Sequence, residues 1–154
     1  MWLTNRILVP TDLGESSKAA AAVAVELAKQ FRVPLVLLHA HGMPAHNYGS
    51  IPFVPTADFL QLLENGARVA LDAEADRLKA EDVEVIALLR GGSPWEEILD
   101  AAKSLEVGLI VMGTHGRRGL PRALLGSVAE KVVRLSPVPV LTVRSPPGQG
   151  GHDS

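Results

Sequence analysis

Glycines and a serine at a fixed spacing are the residues of this 154-residue chain whose types best fit ligand chemistry. Gly113 and Gly116 are followed, after a further nine residues, by Gly126 and Ser127. Glycine lets the backbone turn sharply and approach a ligand with no Cβ in the way. A helix predicted from Ser127 would direct its free N-terminal amides at a phosphate. The spacing fits a phosphate-binding surface turn, and it fits equally well glycines that only shape a turn beside a serine that only caps a helix.

Polar residues also follow two earlier apolar runs. Asp12 comes after such a run, and an aspartate there is commonly a turn residue or a helix cap. By position alone, that structural role is favoured. His39, His41 and His46 suggest metal ligation, because imidazole is a common metal ligand. No carboxylate or cysteine has matching spacing, so we predict no metal site.

The elements that must position these residues alternate along the chain. Short apolar runs indicate buried strands, and segments with apolar residues at steps of three and four indicate amphipathic helices. The pattern predicts strands at residues 6–10, 35–38, 83–89, 107–112 and 138–143, and helices at about 16–31, at about 56–81, from Ser93, and from Ser127 to Ser136.

Helix starts carry the expected capping residues. Serine is a favoured N-cap, and a glutamate three residues later completes a capping box. The predicted caps are Ser16 or Ser17 for the first helix, Ser93 with Glu96 for the third and Ser127 with Glu130 for the fourth. In the second helix Phe59, Leu63, Ala67, Ala70, Leu71 and Leu78 share one side, which we expect to be buried.

Strict alternation of strand and helix predicts an α/β fold. Right-handed crossovers limit its topologies, and we expect an open five-stranded parallel sheet in the order 3-2-1-4-5, with helices on both faces, a Rossmann-like arrangement. Ligands of such sheets bind at the carboxyl ends of the strands, where the strand order reverses. We expect one nucleotide-binding domain over residues 1–144 and a disordered tail over 145–154.

Composition and charge narrow the function classes. The formal net charge of −2 gives no general attraction to nucleic acid or to an anionic membrane. The chain has no cysteine, so it has no disulfide or thiolate nucleophile. No apolar run approaches the roughly 20 residues of a membrane span, and the first residues do not resemble a signal peptide. We expect a cytoplasmic protein that binds neither nucleic acid nor membrane.

The glycine–serine pattern resembles the ATP-binding signature of the universal stress protein family. Gly113, Gly116, Gly126 and Ser127 fill every position of that signature. Three further segments resemble the family in the same order: 8–12, 92–94 and 137–143. The resemblance covers about residues 5–144 and implies an ATP-binding member.

The resemblance implies a role for each matching position. Asp12 and the main chain at Ala40 would hold the adenine, the glycines ribose and phosphates, and the helix start at Ser127 the phosphates. Mg²⁺ or Mn²⁺ would be carried on the phosphates. The complete predicted nucleotide-binding set is Pro10, Thr11, Asp12, Ala40, Met112, Gly113, His115, Gly116, Arg117, Gly126, Ser127 and Val128.

No catalytic set can be identified in the sequence. Rapid ATP hydrolysis needs a positioned water, and His115 is the only nearby side chain that could orient one. We therefore expect a nucleotide-dependent stress-response regulator with slow hydrolysis at most. The alternatives are an adenylyl-transferring or ATP-hydrolysing enzyme, and an interaction protein with a vestigial pocket.

The last predicted strand, from Val138 to Val143, suggests an oligomer. Pro139 has no amide to donate, and proline is tolerated mainly at sheet edges. An apolar edge strand needs cover. Because the family resemblance implies pairing of this strand with its counterpart in a second copy, we predict a homodimer.

Overall fold

Strand and helix alternate strictly in the computed structural model, which describes residues 5–42, 56–115 and 124–145. The strands are β1 Ile7–Pro10, β2 Leu35–His41, β3 Val85–Gly91, β4 Leu109–Gly113 and β5 Val140–Val143. The helices are α1 Glu15–Phe31, α2 Ala57–Lys79, α3 Pro94–Ser104 and α4 Ser127–Leu135. The predicted alternation is confirmed, with strand ends displaced by a few residues: β2 continues to His41 instead of ending at Leu38.

The five strands form one parallel sheet in the order β3-β2-β1-β4-β5. Ile7 of β1 is in register with Leu35 on one side and with Leu109 on the other. This is the predicted order, with β5 at one edge. All strands point the same way, so their carboxyl ends meet along one rim of the sheet.

Two hydrophobic clusters cover the two faces of the sheet. Alternate strand residues point to opposite faces, so Ile7 and Val9 belong to the first cluster and Leu8 to the second. The first cluster also takes buried residues of α1 and α2, and the second those of α3 and α4. The connection after β1 therefore runs to one face of the sheet, and the connection after β4 runs to the other.

The helix starts differ from the sequence expectation. The N-cap of α1 is Gly14, not Ser16 or Ser17. Ser93 is the N-cap of α3 with Pro94 after it, as predicted, but its side chain makes no capping hydrogen bond within the described residues. Helix α4 is capped by Gly126, which places Ser127 at the first helical position and removes the predicted capping box.

Helix α2 is buried along only part of its length. Phe59 and Leu63, predicted to face the core, are exposed, whereas Leu71, Ala75 and Leu78 are buried. A helix of 23 residues spans about 35 Å. The strands it covers have seven residues, or about 23 Å. The helix outruns the sheet, so its first half has no sheet beneath it.

Two further sequence expectations concern membrane spans and the C-terminal tail. Within the ranges described above, no helix is both long and apolar enough to cross a membrane. Apart from Ser145, the predicted tail of residues 145–154 lies outside those ranges.

Replacing Leu37 with alanine tests the core assignment. Leu37 is fully buried in the central part of the sheet. Leu37→Ala should lower the free energy of unfolding by about 2–5 kcal/mol, because it removes buried methyl groups and leaves a cavity. Leu62→Ala, the same change at a side chain 68% exposed, is the control and should stay within about 0.5 kcal/mol. Urea unfolding followed by circular dichroism measures both, and equal losses would contradict the burial pattern.

Candidate functional site

A cavity of about 470 Å³ lies at the carboxyl ends of β1, β2 and β4. Its volume is in the range of small-molecule sites. Every predicted nucleotide-binding residue that the structure describes lines it: Pro10, Thr11, Asp12, Ala40, Met112, Gly113, His115, Gly126, Ser127 and Val128. Gly116 and Arg117, also predicted, lie outside the described residues.

One wall of the cavity is apolar and is formed by the face of the sheet that α3 and α4 cover. Leu38 of β2 and Met112 of β4 lie on the two strands that flank β1. Both belong to the cluster on that face, as does Ile98 of α3. Ala129 adds a small side chain from α4. Such a wall excludes water and suits a flat apolar ring system.

The loop between β1 and α1 holds Asp12 in one orientation. The Oδ1 atom of Asp12 accepts the N–H of Gly14 at 2.8 Å and the hydroxyl of Ser17 at 2.7 Å. The backbone N–H of Asp12 donates to the Ser17 Oγ atom at 3.2 Å. The second oxygen, Oδ2, is buried and has no hydrogen-bond partner among the residues described. Asp12, a lining residue of the cavity, therefore has one carboxylate oxygen held by two donors and one buried oxygen without a partner among the described residues.

Thr11 connects the same loop to β2. Its hydroxyl accepts the N–H of Leu13 at 3.0 Å, which supports the left-handed backbone of Leu13 at φ 65°. Its N–H donates to Leu38 O at 2.8 Å, and its carbonyl accepts the Nδ1–H of His39 at 2.8 Å. His39 thus holds the loop through this hydrogen bond.

In the described part of the chain, no group of three or more His, Cys, Asp or Glu side chains could hold a metal ion.

The opposite side of the cavity is the start of α4. Gly126 donates its N–H to Thr114 O at 2.7 Å, and Thr114 donates its own to Val143 O at 3.1 Å. Gly126 is buried by this connection, contrary to the surface turn expected from the sequence. Its amide is therefore occupied. The amides of Ser127, Val128 and Ala129, the first three helical residues, have no partner within the helix and carry the positive end of its dipole.

His115 follows Thr114 at the end of β4. Its Nδ1 atom lies 3.0 Å from the Thr114 hydroxyl. Its Nε2 atom is buried and, within the described ranges, has no hydrogen-bond partner. The free Asp12 oxygen and this nitrogen are the buried side-chain atoms left without partners in the described residues, and both belong to residues that line one cavity. Such atoms are rare in folded proteins, and a bound water, ion or ligand is among the explanations for them.

Several lining residues were not predicted as functional. They are Ser17, Leu38, His39, Pro94, Ile98, Thr114 and Ala129. Leu38 was assigned to a buried strand and Ile98 to the buried side of the third helix, and both do belong to the core. Ser17 was assigned to a helix cap. The signal that could have found it is its place five residues after Asp12, within the first turn of the following helix.

Comparisons with known proteins agree on one family. The model of the universal stress protein family matches residues 4–144. Universal stress protein MJ0531 of Methanocaldococcus jannaschii is 33% identical over 94% of this chain and 84% of its own length. A universal stress protein of Thermus aquaticus is 39% identical over 90% of this chain and 97% of its own.

Solved structures share the fold. The universal stress protein UspA of Lactobacillus plantarum superposes with a TM-score of 0.77 at 28% identity, over 92% of this chain and 98% of its own. Two more distant structures carry ligands. A universal stress protein in complex with cAMP has a TM-score of 0.70 at 23% identity, covering 92% of this chain and 98% of its own. The universal stress protein from Archaeoglobus fulgidus in complex with dAMP has a TM-score of 0.63 at 22% identity, covering 91% of this chain and 98% of its own. At these identities the two complexes establish likeness of fold alone.

The protonated nitrogen of His39 offers a direct test of the loop geometry. A carbonyl oxygen only accepts hydrogen bonds, so the contact with Thr11 requires the proton on Nδ1 of His39. At a pH where imidazoles are neutral, ¹⁵N chemical shifts of the ring should report the Nδ1–H tautomer for His39. His41, two residues further on the same strand and with no comparable contact to a described residue, is the reference. An Nε2–H tautomer at His39 would show that the loop is not held in this way.

Proposed function

The chain belongs to the universal stress protein family, and on that basis we propose that it binds an adenine nucleotide, ATP foremost, and acts as a nucleotide-dependent stress-response regulator. The observation that carries the proposal is that one cavity is lined both by Asp12, whose Oδ2 atom has no partner among the described residues, and by the N-terminus of α4, whose first amides have no partner within the helix. A base with an amino group and a phosphate are complementary to these two features.

Asp12 is assigned to the base. Its free Oδ2 atom only accepts hydrogen bonds, and adenine presents an exocyclic amine that donates them. The apolar wall with Leu38 and Met112 covers the flat ring, and the main chain at Ala40 lies beside it. A buried acceptor without a partner costs roughly 1–3 kcal/mol, which the adenine amine would recover on binding.

The start of α4 is assigned to the phosphates. Three successive amides, at Ser127, Val128 and Ala129, form an anion site together with the helix dipole. His115 Nε2, on the same cavity, is a further partner for a ribose or phosphate oxygen. The cAMP and dAMP complexes of distant structures support the proposal to the extent that a protein of this fold holds an adenine nucleotide.

A divalent cation would enter with the triphosphate. In the described ranges no three acidic or histidine side chains come together to hold a metal by themselves. Hard cations such as Mg²⁺ take oxygen ligands and are commonly bound through substrate phosphates and water. Mg²⁺ or Mn²⁺ carried by ATP fits this donor set better than a metal bound by side chains.

Binding, with slow hydrolysis at most, suits the cavity better than rapid turnover. Phosphoryl transfer needs a residue that orients the attacking water and positive charge on the transferred group. Among the described lining residues, His115 has a buried ring nitrogen without a partner and is the candidate to orient such a water. The two buried polar atoms without partners among the described residues also favour an occupied site over a vestigial one, because leaving such atoms unpaired costs stability that a ligand would recover.

A proline at position 127 tests the phosphate assignment. Ser127→Pro deletes one amide donor, and proline is well tolerated at the first helical position. Gly126, with φ −60° and ψ 159°, already has the extended conformation required before proline. We expect ATP affinity, measured by calorimetry with Mg²⁺, to fall roughly tenfold or more, the effect of losing a hydrogen bond to a charged group.

Ser127→Ala, which removes the hydroxyl and keeps the amide, is the matched control and should have the smaller effect. A thermal midpoint of the proline variant near that of the parent protein would verify that α4 persists. Unchanged ATP affinity in a folded proline variant would contradict the phosphate assignment. An absence of heat with millimolar ATP and the parent protein would contradict the proposed function itself.

We also propose a homodimer through β5. The strand lies at the sheet edge, and apolar side chains are exposed on it and on the preceding helix: Leu141, Val133 and Leu135. Pairing of this edge with a second copy would cover them and satisfy the unpaired main-chain groups of the edge.

Charge at the edge tests the dimer. Leu141→Lys places an ammonium group on the edge strand. Leu141 is already 39% exposed, so the fold should persist while pairing with a second copy is opposed. Analytical ultracentrifugation should show a dimer for the parent protein and a monomer for the variant. Leu62→Lys, on the first half of α2, is the control and should stay dimeric. A monomeric parent protein would contradict the proposal.

A further inference from the structure

The hydroxyl of Ser17 is engaged twice, and both times by Asp12. It donates to Oδ1 of Asp12 at 2.7 Å and accepts the backbone N–H of Asp12 at 3.2 Å. The residue lies in the first turn of α1 and lines the cavity. Gly14 is the N-cap of α1, and neither hydrogen bond of the Ser17 hydroxyl is made with an amide of that helix.

We propose that Ser17 is a positioning residue that fixes the Asp12 carboxylate and thereby sets the preference of the site for adenine; the inference rests on the proposed nucleotide-binding function. Rotation about the Cβ–Cγ bond of aspartate is soft, so a carboxylate held on one side can turn away from a ligand. Two donors hold Oδ1 from different directions, the N–H of Gly14 and the hydroxyl of Ser17. With both in place, Oδ2 stays buried and unpartnered.

The same geometry predicts discrimination against a base that presents an oxygen in place of the amine. Hypoxanthine, the base of inosine nucleotides, has a carbonyl where adenine has its amino group. A fixed carboxylate oxygen would accept from adenine and would face the carbonyl oxygen of hypoxanthine with no proton between them. Sites that hydrogen-bond one substrate group reject the analogue without it, because the buried protein atom is left unpaired.

Dissociation constants of ATP and ITP, each with Mg²⁺, test the inference through their ratio. The parent protein should prefer ATP by about ten- to a hundredfold, the scale of one hydrogen bond to a charged group. In Ser17→Ala the carboxylate turns more freely, so ATP affinity should fall several-fold while ITP affinity changes little or rises. Ser17→Thr retains the hydroxyl and should restore the preference.

Neighbouring and partner substitutions separate positioning from a structural role. Ser16→Ala makes the same change one residue earlier, at a side chain with no hydrogen bond to the described residues, and should leave the ratio unchanged. In an Asp12→Ala background, Ser17→Ala should have no further effect on the ratio, since the group it positions is gone.

Each contrary result has a distinct meaning. If Ser17→Ala leaves the ratio of ATP to ITP dissociation constants equal to that of the parent protein, the proposed role of Ser17 is overturned. Nucleotide binding itself would still stand. A parent protein that binds both nucleotides equally would overturn the assignment of Asp12 to base selection. A parent protein that binds neither nucleotide would overturn the proposed function, and the inference with it.

Discussion

The divergence of the chain from two neighbouring strands is the constraint on which the site depends. β1 and β4 lie side by side in the sheet, but α1 packs on one face and α4 on the other. Right-handed crossovers impose this, because β2 and β5 lie on opposite sides of the central pair. The two connecting segments therefore separate as they leave the strands. The space between them is the cavity, and it needs no special side chains to remain open.

Each side of that cavity is held by its own hydrogen bonds. Side chains fix the first loop, through Asp12, Ser17 and Thr11. Main-chain bonds connect Gly126 to Thr114, directly after β4, and Thr114 to β5. These hydrogen bonds hold the described parts of the site before a ligand arrives, so binding does not bear the cost of ordering those parts. The cost lies in the fold instead, as buried polar atoms at Asp12 and His115. Because a domain is stable by only about 5–15 kcal/mol, a ligand that relieves those atoms would stabilise the protein appreciably.

The sequence predicts the framework well and the local contacts less well. Apolar runs and helical periodicity report burial directly, so the strands, their alternation with helices and the parallel sheet were predicted and are confirmed. N-cap rules assign a serine by its distance from a helix, and Ser17 satisfied them although its hydroxyl is engaged by Asp12. Phe59 lies on the apolar side of α2, but periodicity carries no information on where the sheet beneath a helix ends. The burial of Gly126 depends on Thr114, which is distant in sequence.

The two ends of the cavity differ in how substitution can change them. Phosphate would be bound by backbone amides at the start of α4, which every residue except proline supplies, so that end would depend little on side-chain identity. Under the same proposal, base binding would depend on the Asp12 carboxylate and on Ser17, which donates a hydrogen bond to it. Changes at Asp12 or Ser17 could therefore redirect base preference while the phosphate end is conserved in geometry. Under the proposed assignments, the glycine–serine pattern would concern the phosphates, and the choice of nucleotide would be made at the end of β1.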